Sequence, residues 1–121
     1  MSTLASQFQG AAAEVSKEFA GSTDGVAEGN LLLGPLDVQL YDRYTVYIKA
    51  ESNALSDVKV WTSPTGVSDW VADSSDLSDG VAQGVTKLIS MKDKSYKYIK
   101  VCVYHAQGVT VSGWFSAGGL T

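Results

Sequence analysis

The chain of 121 residues holds one cysteine, Cys102, and one histidine, His105. A lone cysteine excludes an intrachain disulfide framework. Its place in the apolar run Tyr98–Tyr104 predicts a small buried hydrophobe, and so a chain made in a reducing compartment. One His and one Cys are too few to supply a tetrahedral transition-metal set. Gly-x-Ser-x-Gly elbows, Walker-type loops and Gly-x-Gly-x-x-Gly loops are all missing. His105 follows Tyr104 and precedes Ala106-Gln107-Gly108, which predicts a solvated histidine at a strand end or loop. A general base there would lack the orienting acid and the nucleophile it needs. The expectation is a protein without enzymatic activity and without a cofactor.

Long apolar runs are missing too. None approaches the ~18 residues of a membrane-spanning helix, and the N-terminus shows no basic start followed by an unbroken apolar stretch, so no secretory signal is expected. Charged residues make up 18% of the chain and the net charge is −4, which argues against nucleic-acid binding, because neutralising phosphates takes a dense basic face. The charge is uneven. Residues 87–121 set Lys87, Lys92, Lys94, Lys97 and Lys100 against Asp93 alone, while the preceding residues are acidic. This asymmetry reads either as pairing between neighbouring strands or as head-to-tail complementarity between subunits.

What the chain does have is an ordinary apolar fraction, 45%, enough for one small folded domain. Three regions follow one another. In residues 1–20, Leu4, Phe8, Ala11, Ala12, Val15 and Phe19 recur at spacings of three and four, which predicts a helical or extended arm with one apolar face. Such a segment is marginal alone and needs a surface to lie on. Residues 21–30, GSTDGVAEGN, read as a flexible connector.

Residues 31–121 alternate with period two between turn signals. The expected strands are Leu36–Tyr41, Tyr44–Ala50, Asp57–Thr62, Val67–Asp73, Val85–Ser90, Tyr96–Tyr104 and Val109–Ser116. Tyr44, Val46, Ile48 and Ala50 share one face; so do Ile99, Val101 and Val103, and so do Val109, Val111, Gly113 and Phe115. Many short strands with no crossover helices predict an all-β, antiparallel β-sandwich of jelly-roll type.

The stretch Val58–Trp70, VKVWTSPTGVSDW, resembles the strand–turn–strand of discoidin-like, galactose-binding-type β-sandwiches, and Tyr96–Val101, YKYIKV, resembles a later strand of that architecture. The resemblance implies the fold and leaves the ligand open. A short, acidic, β-rich chain with an arm and no chemistry is also similar in type to the small decoration or cement proteins of tailed-phage heads. That likeness implies a homo-oligomer, with a trimer preferred, seated on a major capsid protein or similar shell.

Two further groups stand out. Asp69, Asp73, Asp76 and Asp79, followed by Gly80, are candidate Ca²⁺ ligands, although Asp-x-x-Asp-x-x-Asp-Gly is not an EF-hand and Asp favours turns for local reasons. Trp114 shares a face with Thr110, Ser112 and Ser116. There it suits a subunit interface or sugar stacking, unless both faces of its sheet are covered and it is core. The expected function is a structural protein of the virion, made in the host cytoplasm, that docks through Leu4, Phe8, Val15, Phe19 and Trp114. The alternative is a carbohydrate-binding module using loop aromatics and Asp side chains, with or without Ca²⁺. No nucleic-acid or membrane partner is expected.

Overall fold

The computed structural model describes residues 12–120. Eight strands follow in order: β1 (Ala12–Phe19), β2 (Asn30–Asp37), β3 (Tyr41–Ala50), β4 (Asp57–Ser63), β5 (Val71–Asp76), β6 (Thr86–Met91), β7 (Tyr98–Tyr104) and β8 (Val109–Leu120). They form two four-stranded sheets, β1-β8-β3-β6 and β2-β7-β4-β5, and every pairing is antiparallel. This order is that of a jelly roll, two interleaved Greek keys. No helix occurs among the described residues.

The inner faces carry the alternation expected from the sequence. Val46, Ile48, Val60, Ile99, Val101, Val111 and Phe115 meet in one apolar layer between the sheets. Cys102 is buried, and burial pushes its thiol up to about 11. On β8, Gly113 lets the sheets approach closely, since a Cβ there would lie 2.9 Å from a Leu32 methyl carbon.

Three expectations need correction. The helical reading of residues 1–20 fails where it can be checked: residues 12–19 are an edge strand paired residue by residue with β8, from Ala12↔Ser116 to Phe19↔Val109. Val15 and Phe19 pack with Ala13 against the chain's own core, so they are not free for docking onto a neighbour. Leu4 and Phe8 lie outside the described residues. The segment 21–30 is also tied down. The Thr23 amide donates to the His105 carbonyl at 2.9 Å, and the His105 amide donates to Thr23 Oγ1 at 2.9 Å. Lastly, β5 begins at Val71 rather than Val67. Ser63 Oγ accepts from the amides of Thr65 and Gly66 and donates to the Ser68 carbonyl, which extends the turn through Ser68.

The sheet edges are blunted. β2 carries Pro35 and two register breaks; β5 and β6 are six residues each. β1 presents Glu14 and Glu18 outward and turns Lys17 inward, where Nζ donates to the Leu31 carbonyl at 3.3 Å.

One end of the sandwich is closed by a polar plug. The Asp73 carboxylate accepts from the Tyr96 hydroxyl and the Ser75 amide and lies 3.5 Å from Lys94 Nζ. Burial alone would raise Asp73, but these hydrogen bonds and the Lys94 ammonium outweigh it and hold the carboxyl below its ordinary range. Burial, and then Asp73 beside it, push the Tyr96 phenol up to about 12. The signs follow from linkage. A depressed Asp73 contributes stability above its unfolded value near ~4 that is lost as pH falls. A raised Tyr96 contributes stability below ~10 that is lost as pH climbs towards its folded value. Asp73→Ala is expected to lower unfolding free energy by about 2 kcal/mol at pH 7, because it removes the buried carboxylate that accepts from the half-buried Tyr96 hydroxyl and pairs with Lys94. Urea titrations at pH 7 and pH 3 check this: the gap between wild type and variant should shrink at pH 3.

Candidate functional site

β8 is the longest strand, at 12 residues, and is flanked on both sides by β1 and β3. Because Gly113 and Phe115 turn inward, Trp114 turns outward, half-buried, with Thr110, Ser112 and Ser116 on its face. The registers Glu14↔Trp114, Trp114↔Tyr47 and Tyr47↔Leu88 set four side chains in one row across all four strands. Tyr47 is 44% exposed and Leu88 50% exposed. Neighbouring strands lie about 4.8 Å apart, so Trp114, Tyr47 and Leu88 form an apolar strip roughly 10 Å long.

Small polar residues border the strip. On one side run Ala12, Ser116, Thr45 and Ser90; on the other run Ser16, Ser112, Lys49 and Thr86. The first border, with Arg43, Lys92 and Gly118 beyond it, lines a shallow depression of about 300 Å³ through Thr45, Ser90 and Ser116. Beyond the second, Ser112 Oγ donates to Glu51 Oε2 at 2.7 Å, and Lys49 Nζ lies 3.4 Å from Glu51 Oε1. The Ser112 hydrogen bond, with Lys49 behind it, holds the Glu51 carboxyl below its ordinary range. The face is therefore graded: Arg43 and Lys92 at one end, an aromatic strip in the middle, Glu51 and Glu18 at the other end.

On the outer face of the second sheet the lysines are engaged with carboxylates and aromatic rings. Lys100 Nζ lies 4.3 Å from the Trp70 ring centroid and 2.7 Å from Glu28 Oε1. Lys59 lies 5.6 Å from the Tyr104 ring centroid, and the Tyr104 hydroxyl donates to the Ala27 carbonyl at 2.8 Å. Trp61 stands half-buried beside Lys100 in register. The pairs Lys100–Glu28 and Lys94–Asp73 join the lysine-rich residues 87–121 to earlier acids within one chain.

The remaining candidates are dispersed. Asp73 belongs to the polar plug, Asp69 accepts from Ser68 Oγ at 3.0 Å, and Asp76 stands opposite Lys59. Asp79 lies in the loop between β5 and β6. Among the described residues no three His, Cys, Asp or Glu side chains are grouped to hold a metal ion. His105 corrects the expected solvated histidine, being 1% exposed. Its Nδ1 faces the carbonyls of Gly21 at 3.0 Å and Gln107 at 2.9 Å, which places the proton there. Its Nε2 accepts from Asn30 Nδ2 at 2.8 Å, and the ring stacks on Phe19 with centroids 5.9 Å apart. It is a structural tie between the 21–30 loop and the β7–β8 turn. Sequence reasoning missed Tyr47, Leu88, Arg43 and Glu51 as members of the face. The outward parity of Tyr47 was readable, but its place beside Trp114 depends on register.

No protein-family profile and no curated protein matches the chain. Among solved structures, the SPBc2 prophage-derived protein YomS is similar at a TM-score of 0.52 and 13% identity, over 89% of this chain and 96% of that one. A Bacillus endospore appendage pilus protein aligns over 90% of this chain and 88% of that one, at 0.46 and 11%. The carbohydrate-binding module CBM29-2 aligns over 88% and 94%, at 0.38 and 10%. At these identities the likeness to YomS shows the fold alone, and the two lower scores carry no argument. The fold is an all-β sandwich of two antiparallel four-stranded sheets. Among the described residues no helix is long and apolar enough to cross a membrane.

Proposed function

We propose that the protein is a non-enzymatic structural protein of the virion, a decoration or cement protein that stabilises junctions of a capsid shell. The observation that carries this reading is the outer face of the first sheet. An aromatic strip bordered by small hydroxyls and closed at its ends by opposite charges has the make-up of a contact surface, an apolar centre within a polar rim. The blunted edges direct association onto the faces, since edge pairing is disfavoured by charge and by short strands. Leu4 and Phe8, in the segment preceding β1, would add a second attachment.

The experiment is a protein count in purified virions. The chain is expected in fixed stoichiometry with the major capsid protein and open to protease from outside; its absence from washed particles overturns the reading. A carbohydrate-binding role rests on the same strip, since Trp114 and Tyr47 at about 4.8 Å strand spacing also suit stacked pyranose rings. Quenching of Trp114 fluorescence by an oligosaccharide would favour that role instead.

A further inference from the structure

We propose that the outer face of the first sheet pairs with the same face of a second copy, about a two-fold axis running across the strands at the row of Trp114 and Tyr47. The proposal rests on the reading of this face as a contact surface and goes further by naming its occupant. The argument is one of charge complementarity. Along β3 the outward residues run Arg43, Thr45, Tyr47, Lys49, and Glu51 completes the series, with its carboxylate held by Ser112 of the same face. Lys92 follows β6 at the Arg43 end, and Glu18 closes β1 at the Glu51 end.

Two orientations bring such a face against its copy. An axis along the strands sets like ends together, Arg43 and Lys92 over the same basic end of the partner, and it lays Glu14 over an apolar leucine. An axis across the strands reverses the ends. Arg43 then meets the glutamate end of the other copy, reciprocally, while Trp114 and Tyr47 each lie over their own counterpart at the centre. Like charges facing one another across an interface are disfavoured, so the second orientation is selected. Of the charged residues on the face, only Glu14, at the rim of the central row, meets its own copy.

Size is consistent with this. Four strands and about eight residues along each present roughly 500 Å² of face per protomer, about 1,000 Å² per dimer, at the threshold for a specific interface. Arg43 reaches solvent, with a side chain 62% exposed, and its ion pair with Asp42 is long, at 3.8 Å. The edges offer no rival, and the second sheet's outer face has its lysines already engaged with Glu28, Asp57 and aromatic rings.

The test is sedimentation of the full chain over a concentration series at low salt. Wild type is expected to approach twice the monomer mass of 12.8 kDa. Trp114→Ala should weaken the dimer about 30-fold, the effect of losing a central aromatic anchor. Arg43→Glu should weaken it by tenfold or more, and combining Arg43→Glu with Glu51→Arg should restore it. Glu14→Gln should tighten it. A wild-type monomer at every concentration overturns the proposal, as does a dimer indifferent to Trp114→Ala and Arg43→Glu, or one in which the double exchange fails to rescue. A monomer whose Trp114 fluorescence is quenched by a cello-oligosaccharide assigns the strip to glycan instead. Incorporation into virions is read separately, so a failure of pairing and a failure of the structural role are distinguishable.

Discussion

A chain lacking residues 2–20 is expected not to fold, whereas the full chain shows a cooperative thermal transition. The difference is β1. Removing it strips β8 of an eight-residue ladder and uncovers the core beneath Ala13, Val15 and Phe19. Phe19 also covers His105, which would face water. Partial burial of Val15 and Phe19 is worth about 1–2 kcal/mol each, and the ladder adds about 1 kcal/mol for each lost hydrogen bond. Together these reach the 5–15 kcal/mol that typically separates folded from unfolded chains. Circular dichroism melts of the truncated and full chains check the expectation. If the truncated chain melts cooperatively near the wild-type temperature, β1 is not integral. The same result says how the N-terminal segment must be tested for assembly: the cut has to stop before β1.

Phe115→Ala is expected to lower the unfolding free energy by about 3–5 kcal/mol, the usual cost of emptying a large core site. Phe115 is 3% exposed, and its β8 neighbour Trp114 faces the other way. Trp114→Ala should therefore change monomer stability by only about 1 kcal/mol or less, since outward substitutions disturb little packing. Urea unfolding at low protein concentration separates the two, because association would otherwise add apparent stability by mass action. Equal losses for both variants would mean that the outer face is covered within the chain.

The parts of this fold that were readable from the sequence are those in which local pattern and burial agree. Tyr44, Val46, Ile48 and Ala50 on β3, and Ile99, Val101 and Val103 on β7, alternate cleanly because every second residue enters the core. The spacing around β1 leaves helix and strand both open for a physical reason. Val15 and Phe19, four apart, share a face in a helix and in a strand alike. Lys17 occupies the inward position between them and breaks the apolar alternation. What makes the segment a strand is the edge of β8, about ninety residues away, and tertiary pairing overrides a weak helical preference.

The site shows the same division. Trp114 could be assigned outward from its neighbours, but the row it shares with Tyr47 and Leu88 exists only through two non-local registers. His105 looked like a loop histidine because its partners Gly21 and Asn30 lie some eighty residues earlier in the chain.

Oxidative footprinting of Trp and Tyr side chains, with the chain dilute and then concentrated or particle-bound, tests the central claim most directly. Trp114 and Tyr47 should lose reactivity on association while Trp70 and Tyr104 keep theirs. Unchanged labelling of Trp114 and Tyr47 in an assembled sample would contradict the assignment of this face as the contact surface.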